Sequence, residues 1–182
     1  MDLSLKRHPQ SRGIAVTQIV ASVGCLRPGH WVFSYGARGD IGRIRIQPPA
    51  KPARRSDLWR ETCFEAFVGD AHGPEYYELN FSPSKHWAAY RFASYRNGMR
   101  PANEIHSVAI TIASNDDIFH LEATVEGQFA LPSPSGWRIG LSAVIEEIGG
   151  NKTFWALAHS QGKPDFHHAD CFSYELPPAA NP

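Results

Sequence analysis

A chain of 182 residues with 18 basic and 18 acidic side chains has the length of one domain and no net charge. That balance argues against a nucleic-acid binder held by bulk charge and against an acidic disordered tail. Three cysteines at wide spacing (Cys25, Cys63, Cys171) make neither a disulfide framework nor a zinc motif and read as free thiols of a reducing compartment.

The N-terminal stretch MDLSLKRHPQSRGIAV has no apolar run leading to a small-residue cleavage site, and nothing in the chain approaches the ~20 apolar residues of a membrane span. The expectation is a cytoplasmic protein, or a periplasmic one if a leader has been removed. Fifteen glycines and fourteen prolines, scattered among abundant aromatics, point to a turn-rich sheet domain.

In chain order, the β-branched residues Ile14, Val16, Ile19 and Val20 favour strand within 5–26, and Trp31–Tyr35 alternates as a short strand. GARGDIG (36–42) holds an Arg-Gly-Asp match that reads as a turn. Ile41, Ile44 and Ile46 suggest another strand before the proline-rich loop that begins at Gln47. Further strands are expected at 63–68, 76–81, 86–92, 107–113, 118–126, 137–146 and 153–158, with an edge strand at 172–176. Turn signals separate them, among them Ser82-Pro83-Ser84, Arg96-Asn97-Gly98 and Pro132–Gly136. About ten short strands with little helix predict an all-β, antiparallel sandwich of jelly-roll type, since a parallel sheet would need helical crossovers. Residues 177–182 are expected to fray.

The stretch YYELNFSPSKHWAAY (76–90) reads as a hairpin. A loop from Ser82 to Lys85 would pair Asn80 with Trp87, Glu78 with Ala89 and Tyr76 with Arg91. That register gathers Tyr76, Glu78, Asn80, Trp87, Ala89 and Arg91 on one face and leaves Tyr77, Leu79, Phe81, His86, Ala88 and Tyr90 on the other, a core face. On the preceding strand, Trp59, Glu61, Cys63, Glu65 and Phe67 share one parity, so Glu65 joins Glu78 if the strands are neighbours. An indole offers a flat apolar platform, carboxylates and amides accept from vicinal hydroxyls, and a guanidinium donates a rigid fork. Such a set suits a polyol or sugar; it also suits a solvated sheet face with cross-strand ion pairs.

AHSQGKPDFHHAD (158–170) concentrates His159, Asp165, His167, His168 and Asp170. Adjacent His167 and His168 would point apart in extended chain, whereas Asp165 and His167 could share a side. The segment is open to three readings: a ligand-binding loop, an acid–base or metal loop, and structural packing. Glu61, Glu65, Glu78, Glu146 and Glu147 offer carboxylates for glycoside hydrolysis, but no pair is singled out, and no GxSxG nucleophile motif occurs.

Taken together, LWRETCFEAFVG (58–69), YYELNFSPSKHWAAYRFASYRNGM (76–99) and FWALAHSQGKPDFHHADCF (154–172) resemble the DOMON-like superfamily. That superfamily includes the family-9 carbohydrate-binding modules and the cytochrome domains of some dehydrogenases. The likeness runs from about Trp31 to Tyr174 and is similar to a bacterial subgroup.

It implies a single DOMON-like β-sandwich domain over 1–176 that binds a small ligand, a saccharide or sugar derivative, without catalysis and without nucleic acid or membrane as partner. In the carbohydrate modules an early Trp, a following Glu and a later Arg hold the sugar, and Trp59, Glu65 and Arg91 are placed like them. Phe166 or His168 would stand in for a late aromatic. The candidate ligand-binding residues are therefore Trp59, Glu65, Glu78, Asn80, Trp87, Arg91, His159 and His168, with no metal and no cofactor expected. The same resemblance leaves open a haem-binding domain that uses Met99 with His159, His120 or His106. A third reading is an enzyme built on the 158–170 loop.

Overall fold

A computed structural model describes residues 1–129 and 136–177. Most of the expected turn at Pro132–Gly136, and the expected frayed tail beyond Pro177, lie outside the described residues. The strands are β1 (Leu3–Arg7), β2 (Val16–Arg27), β3 (His30–Gly39), β4 (Ala53–Arg54), β5 (Cys63–Asp70), β6 (Tyr76–Phe81), β7 (His86–Phe92), β8 (Arg100–Pro101), β9 (Ile105–Ser114), β10 (Ile118–Gly127), β11 (Trp137–Glu146), β12 (Lys152–Ala156) and β13 (Tyr174–Leu176). Three short 3-10 turns, at Ile41–Arg43, Leu58–Arg60 and Ala169–Cys171, are the helical elements among the described residues.

The chain is all-β and mostly antiparallel; β4 pairs with β7 in parallel. Its strands form one hydrogen-bonded path, in the order β4-β7-β6-β5-β11-β12-β1-β2-β3-β10-β9, with β13 against β11 and β8 against β7. Two separate sheets were expected. The continuity comes from β1, whose first half pairs with β2 while Lys6 and Arg7 pair with β12. The sheet curls so that the inner faces of its two halves meet.

Alternation drives this packing. Trp31, Phe33, Tyr35 and Ala37 of β3 and Phe119, Leu121, Ala123 and Val125 of β10 all point inward and are buried. They meet Phe64, Leu79, Phe81 and Leu141 of the other half in one core. Phe33 lies 5.6 Å from Phe81, and Phe64 lies between Tyr35 at 5.1 Å and Phe119 at 5.6 Å, ring centroid to centroid. The Tyr35 hydroxyl satisfies itself across the core by donating to the Glu65 carbonyl oxygen at 2.8 Å.

The expected strand through Ile41, Ile44 and Ile46 is instead a 3-10 turn followed by a single bridge from Ile44 to Glu147. Within GARGDIG, Arg38 and Gly39 end β3. A Cβ on Gly39, whose φ is +150°, would stand 2.0 Å from the Ala15 carbonyl oxygen, so the glycine serves the fold here.

The half of the sheet made by β5, β6, β7, β11 and β12 is covered on its outer face as well. Phe166, Cys171 and Phe172, from the segment between β12 and β13, pack onto Phe67, Tyr76, Phe92, Val144 and Ala156 as a second apolar cluster. The site lies between this cover and the sheet.

Candidate functional site

The register of β5 against β6 pairs Glu65 with Asn80 and Phe67 with Glu78. Glu65, Glu78, Asn80, Cys63, Phe67 and Tyr76 therefore share the outer face, as the parity of the two strands predicts. The hairpin that follows departs from expectation. Lys85 N donates to Ser82 O and Ser82 N to His86 O, both at 2.9 Å, while Lys85 takes a left-handed φ of 69°. This is a tight turn closed by a bulge residue, and it shifts β7 by one position: Phe81 pairs with Trp87, Leu79 with Ala89 and Tyr77 with Arg91.

A one-residue slip exchanges the faces, so Trp87 and Arg91 stand on the opposite side of the sheet from Glu65, Glu78 and Asn80. Trp87 belongs to the main core, with the Arg54 guanidinium 4.4 Å above its ring. Arg91 pairs with Glu75 at 2.7 Å and Glu104 at 3.5 Å beside Tyr77. Their places on the outer face go to Ala88, Tyr90 and Phe92.

Three of the expected residues, Trp59, Glu65 and Glu78, do line one cleft, of about 750 Å³. Tyr90, Phe92, Phe154 and Phe166 give it aromatic walls, and Arg96, Met99 and His167 complete the lining. Trp59 stands at its edge on the Leu58–Arg60 turn, 50 % exposed, with the Arg60 guanidinium 5.2 Å from its ring.

On the floor, Glu65 and Glu78 are 4 % and 6 % exposed. Asn80 Nδ2 donates to Glu78 Oε1 at 2.7 Å, and Asn80 Oδ1 accepts from Cys63 Sγ at 3.7 Å. The Glu65 carboxyl makes no hydrogen bond with any described residue. Opposite it on β11, the Ser142 hydroxyl is likewise buried without a partner among the described residues.

The cover supplies the rest. Arg96 N donates to the Tyr76 hydroxyl at 3.1 Å, and that hydroxyl lies 2.8 Å from His167 Nδ1. With the Tyr76 hydroxyl already accepting from Arg96 N, we assign it as the donor to Nδ1, which puts the His167 proton on Nε2, facing Glu78 Oε2 at 3.6 Å. Asp165 Oδ1 accepts from His167 N at 3.1 Å and from Arg96 Nη2 at 2.7 Å, and Tyr95 donates to Oδ2. Asp165 and His167, expected to share a side, thus meet in one network. Arg96 holds a left-handed φ of 51°, a conformation that costs a non-glycine residue roughly 1–2 kcal/mol and that carries its side chain to Asp165.

The electrostatics follow from burial. Burial, and then the Glu78 charge, pushes Glu65 well up from the usual carboxylate range; burial also raises Glu78, against the Asn80 hydrogen bond and Arg96. Burial, reinforced by Arg96, lowers His167 to about 4, so its imidazole is neutral. Burial works to raise Asp165, but Tyr95 and Arg96 outweigh it and hold the group below the usual range.

His159 and His168 do not line the cleft. His159 Nε2 bonds the Lys6 carbonyl oxygen at 2.8 Å and its ring stands edge-on to His8, which ties the start of the cover to β1. His168 caps the Ala169–Cys171 turn by accepting from Asp170 N. Met99 is 61 % exposed at the cleft mouth. His106 and His120 are on β9 and β10 in the other half of the sheet, and the histidine that shares the cleft with Met99 is His167. Among the described residues no group of three or more His, Cys, Asp or Glu side chains is arranged to hold a metal ion.

Sequence reasoning missed Arg96, and it placed His167 only in an undivided histidine cluster. The signal for Arg96 was Asn97-Gly98, which marks a tight turn directly after β7.

No family model matches the sequence, and no curated protein matches it. Among solved structures, the fold is similar to that of a protein from Bacteroides uniformis ATCC 8492 provisionally described as carbohydrate-binding, at 11% identity and a TM-score of 0.57, over 85% of this chain and 75% of that one. A family-9 carbohydrate-binding module from Caldicellulosiruptor kristjanssonii is matched in its glucose complex at 9% identity and TM-score 0.48, over 84% of this chain and 72% of that one. Its cellotriose complex is matched at 10% identity and TM-score 0.46, over 88% and 75%.

Proposed function

We propose that this chain is a non-catalytic binding domain whose covered sheet face holds a saccharide or sugar derivative. The observation that carries the reading is the cleft, with aromatic walls and a floor of buried carboxyls. Its size falls within the range of about 300–1,000 Å³ usual for small-molecule sites. A half-exposed indole at the edge gives a sugar ring a flat apolar contact. Glu65 and Glu78 accept from hydroxyls, and a neutral His167 keeps an N–H directed inward. What the Bacteroides protein is described as binding points the same way. With this reading go the DOMON-like interpretation of the motifs and the view of the curled sheet as a sandwich whose two inner faces pack on each other.

The test is a glycan array followed by titration of tryptophan fluorescence. Trp59→Ala is expected to weaken binding of a captured glycan about tenfold or more, as loss of a stacking platform does. Arg91→Ala, on the opposite face, is expected to leave Kd within about twofold. Equal losses in the two variants would place the site elsewhere. No captured glycan would reject the reading.

A further inference from the structure

Neutral hydroxyls do not explain the charge of the floor. Glu65 and Glu78 are diagonal neighbours on adjacent strands, both more than nine-tenths buried. Arg96 is the one cation among the described residues that line the cleft, and Asp165 engages it at 2.7 Å. Asp57, also in the lining, pairs with Arg60 at 3.2 Å. Glu78 has Asn80 as a donor, whereas the Glu65 carboxyl, lining the cleft, and the Ser142 hydroxyl opposite it are both left without a partner among the described residues. Two buried carboxyls, one of them unpartnered, in a cleft with aromatic walls form a receptor for a cation: the carboxylates supply charge, and aromatic walls tolerate a cation better than aliphatic ones.

We propose that the ligand presents a protonated amine to Glu65 and Glu78, and so that the sugar is an amino sugar rather than a neutral one. The proposal rests on the saccharide reading and narrows it. A primary ammonium has three donors to distribute over the two oxygens of Glu65 and over Glu78 Oε2, which His167 Nε2 faces at 3.6 Å, beyond hydrogen-bond distance. The groups facing the pair agree with this role. Cys63 of β5 and Tyr76 of β6 are held protonated by burial, His167 of the cover is neutral, and Arg96 and Asp57 carry their own counter-charges. Burial makes the pair hold its proton to a higher pH than ordinary carboxyls do. An ammonium between the carboxylates makes both ionise, and that proton leaves to solvent, so affinity rises with pH until the amine itself loses its charge.

The experiment is calorimetry of the full chain with four probes, D-glucosamine, N-acetylglucosamine, D-glucose and cyclohexylamine, in two buffers of different ionisation enthalpy. Glucosamine is expected to bind about tenfold or more tighter than glucose or N-acetylglucosamine, with proton release; close charge pairs at interfaces are worth at least that factor. Glu65→Gln keeps the shape of the side chain. With its fold checked by circular dichroism, it is expected to reduce the preference to about twofold and to abolish the proton release. Equal binding of glucose and glucosamine by the wild type overturns the proposal and leaves the saccharide reading standing. Binding of cyclohexylamine but of no sugar supports the ammonium site and removes the saccharide. Binding of none of the four overturns both.

Discussion

β3 and β6 are built from the same antiparallel ladders, yet they differ in what lies behind them. β3 alternates: Trp31, Phe33, Tyr35 and Ala37 are buried, while Val32, Ser34, Gly36 and Arg38 turn outward and are less buried. In β6 all six residues from Tyr76 to Phe81 are buried, on both faces. The difference is the cover, the segment from Pro164 to Phe172 that lies over β5, β6 and β7 but not over β3 and β10. Covering the outer face turns positions that alternation would assign to water into the walls and floor of a cleft. It also raises the stakes for every polar group there, because a buried carboxyl or imidazole loses water whether or not the protein replaces it. The network from Asp165 through Arg96, Tyr76 and His167 to Glu78 satisfies most of that face; the Glu65 carboxyl and the Ser142 hydroxyl are the exceptions among the described residues.

The strongest way to break this comparison is to truncate an outward residue of the covered half. Phe67 points outward on β5, yet it is 1 % exposed and packs against Tyr76, His167 and Phe172, with ring centroids 6.3, 5.2 and 5.6 Å away. Phe67→Ala is expected to cost about 3–5 kcal/mol, the range for a large core ring. Urea unfolding of both proteins checks it. A cost typical of an exposed site would show that the cover is not packed on the sheet.

The second test uses acid. His167 titrates at 6.5 in an unfolded chain but near 4 in the fold, because burial and then Arg96 disfavour the imidazolium. Between those values the unfolded chain binds more protons, so stability falls as pH drops from 6.5 towards 4 and is unaffected by this group above that window. At about 1.4 kcal/mol per pKa unit the loss attributable to His167 is about 3 kcal/mol. Glu65 and Glu78 act with the opposite sign: their raised values destabilise the fold as pH rises above 4.5. The wild-type profile mixes both trends, and His167→Gln separates them. The variant is expected to lose about 3 kcal/mol less than wild type between pH 7 and pH 4 in urea unfolding. Parallel profiles would mean that the cover opens in acid before His167 has to be charged within it.

The same comparison shows why part of the site could be read in advance and part could not. Glu65, Glu78 and Asn80 were legible as neighbours because β5 and β6 are contiguous ladders whose parity is carried along each strand. Trp87 and Arg91 were not, since their face depends on one backbone dihedral at Lys85, and Ser-Pro-Ser-Lys admits turns of either count. The inward strands β3 and β10 could be recognised from alternation alone. The continuous run of β6 reads as half-solvated until something is known to cover it, and that cover comes from the far end of the chain. For the same reason His159, His167 and His168 could not be told apart: in irregular chain, side-chain direction follows from turn geometry and not from a period. The joining of the two halves through β1 was hidden too, because a five-residue strand can serve one sheet or two without any change in composition.

The smallest effect is expected on the uncovered face, and it completes the comparison. Ser34 points outward on β3, as Phe67 does on β5, and its hydroxyl lies 2.9 Å from His120 Nε2 on β10. Both groups remain within reach of water, so losing the bond exchanges it for hydration and strands no buried donor or acceptor. Ser34→Ala is therefore expected to change stability by about 0.5 kcal/mol or less in the same urea assay. The two positions share strand type, orientation and antiparallel neighbours, so a Ser34 cost at the exposed-site level beside a Phe67 cost at the core level is what a cover over one half alone predicts. A Ser34 cost approaching that of Phe67 would mean that this face, too, is shielded from water in solution, and the contrast between the two halves would then lie in their side chains and not in the cover.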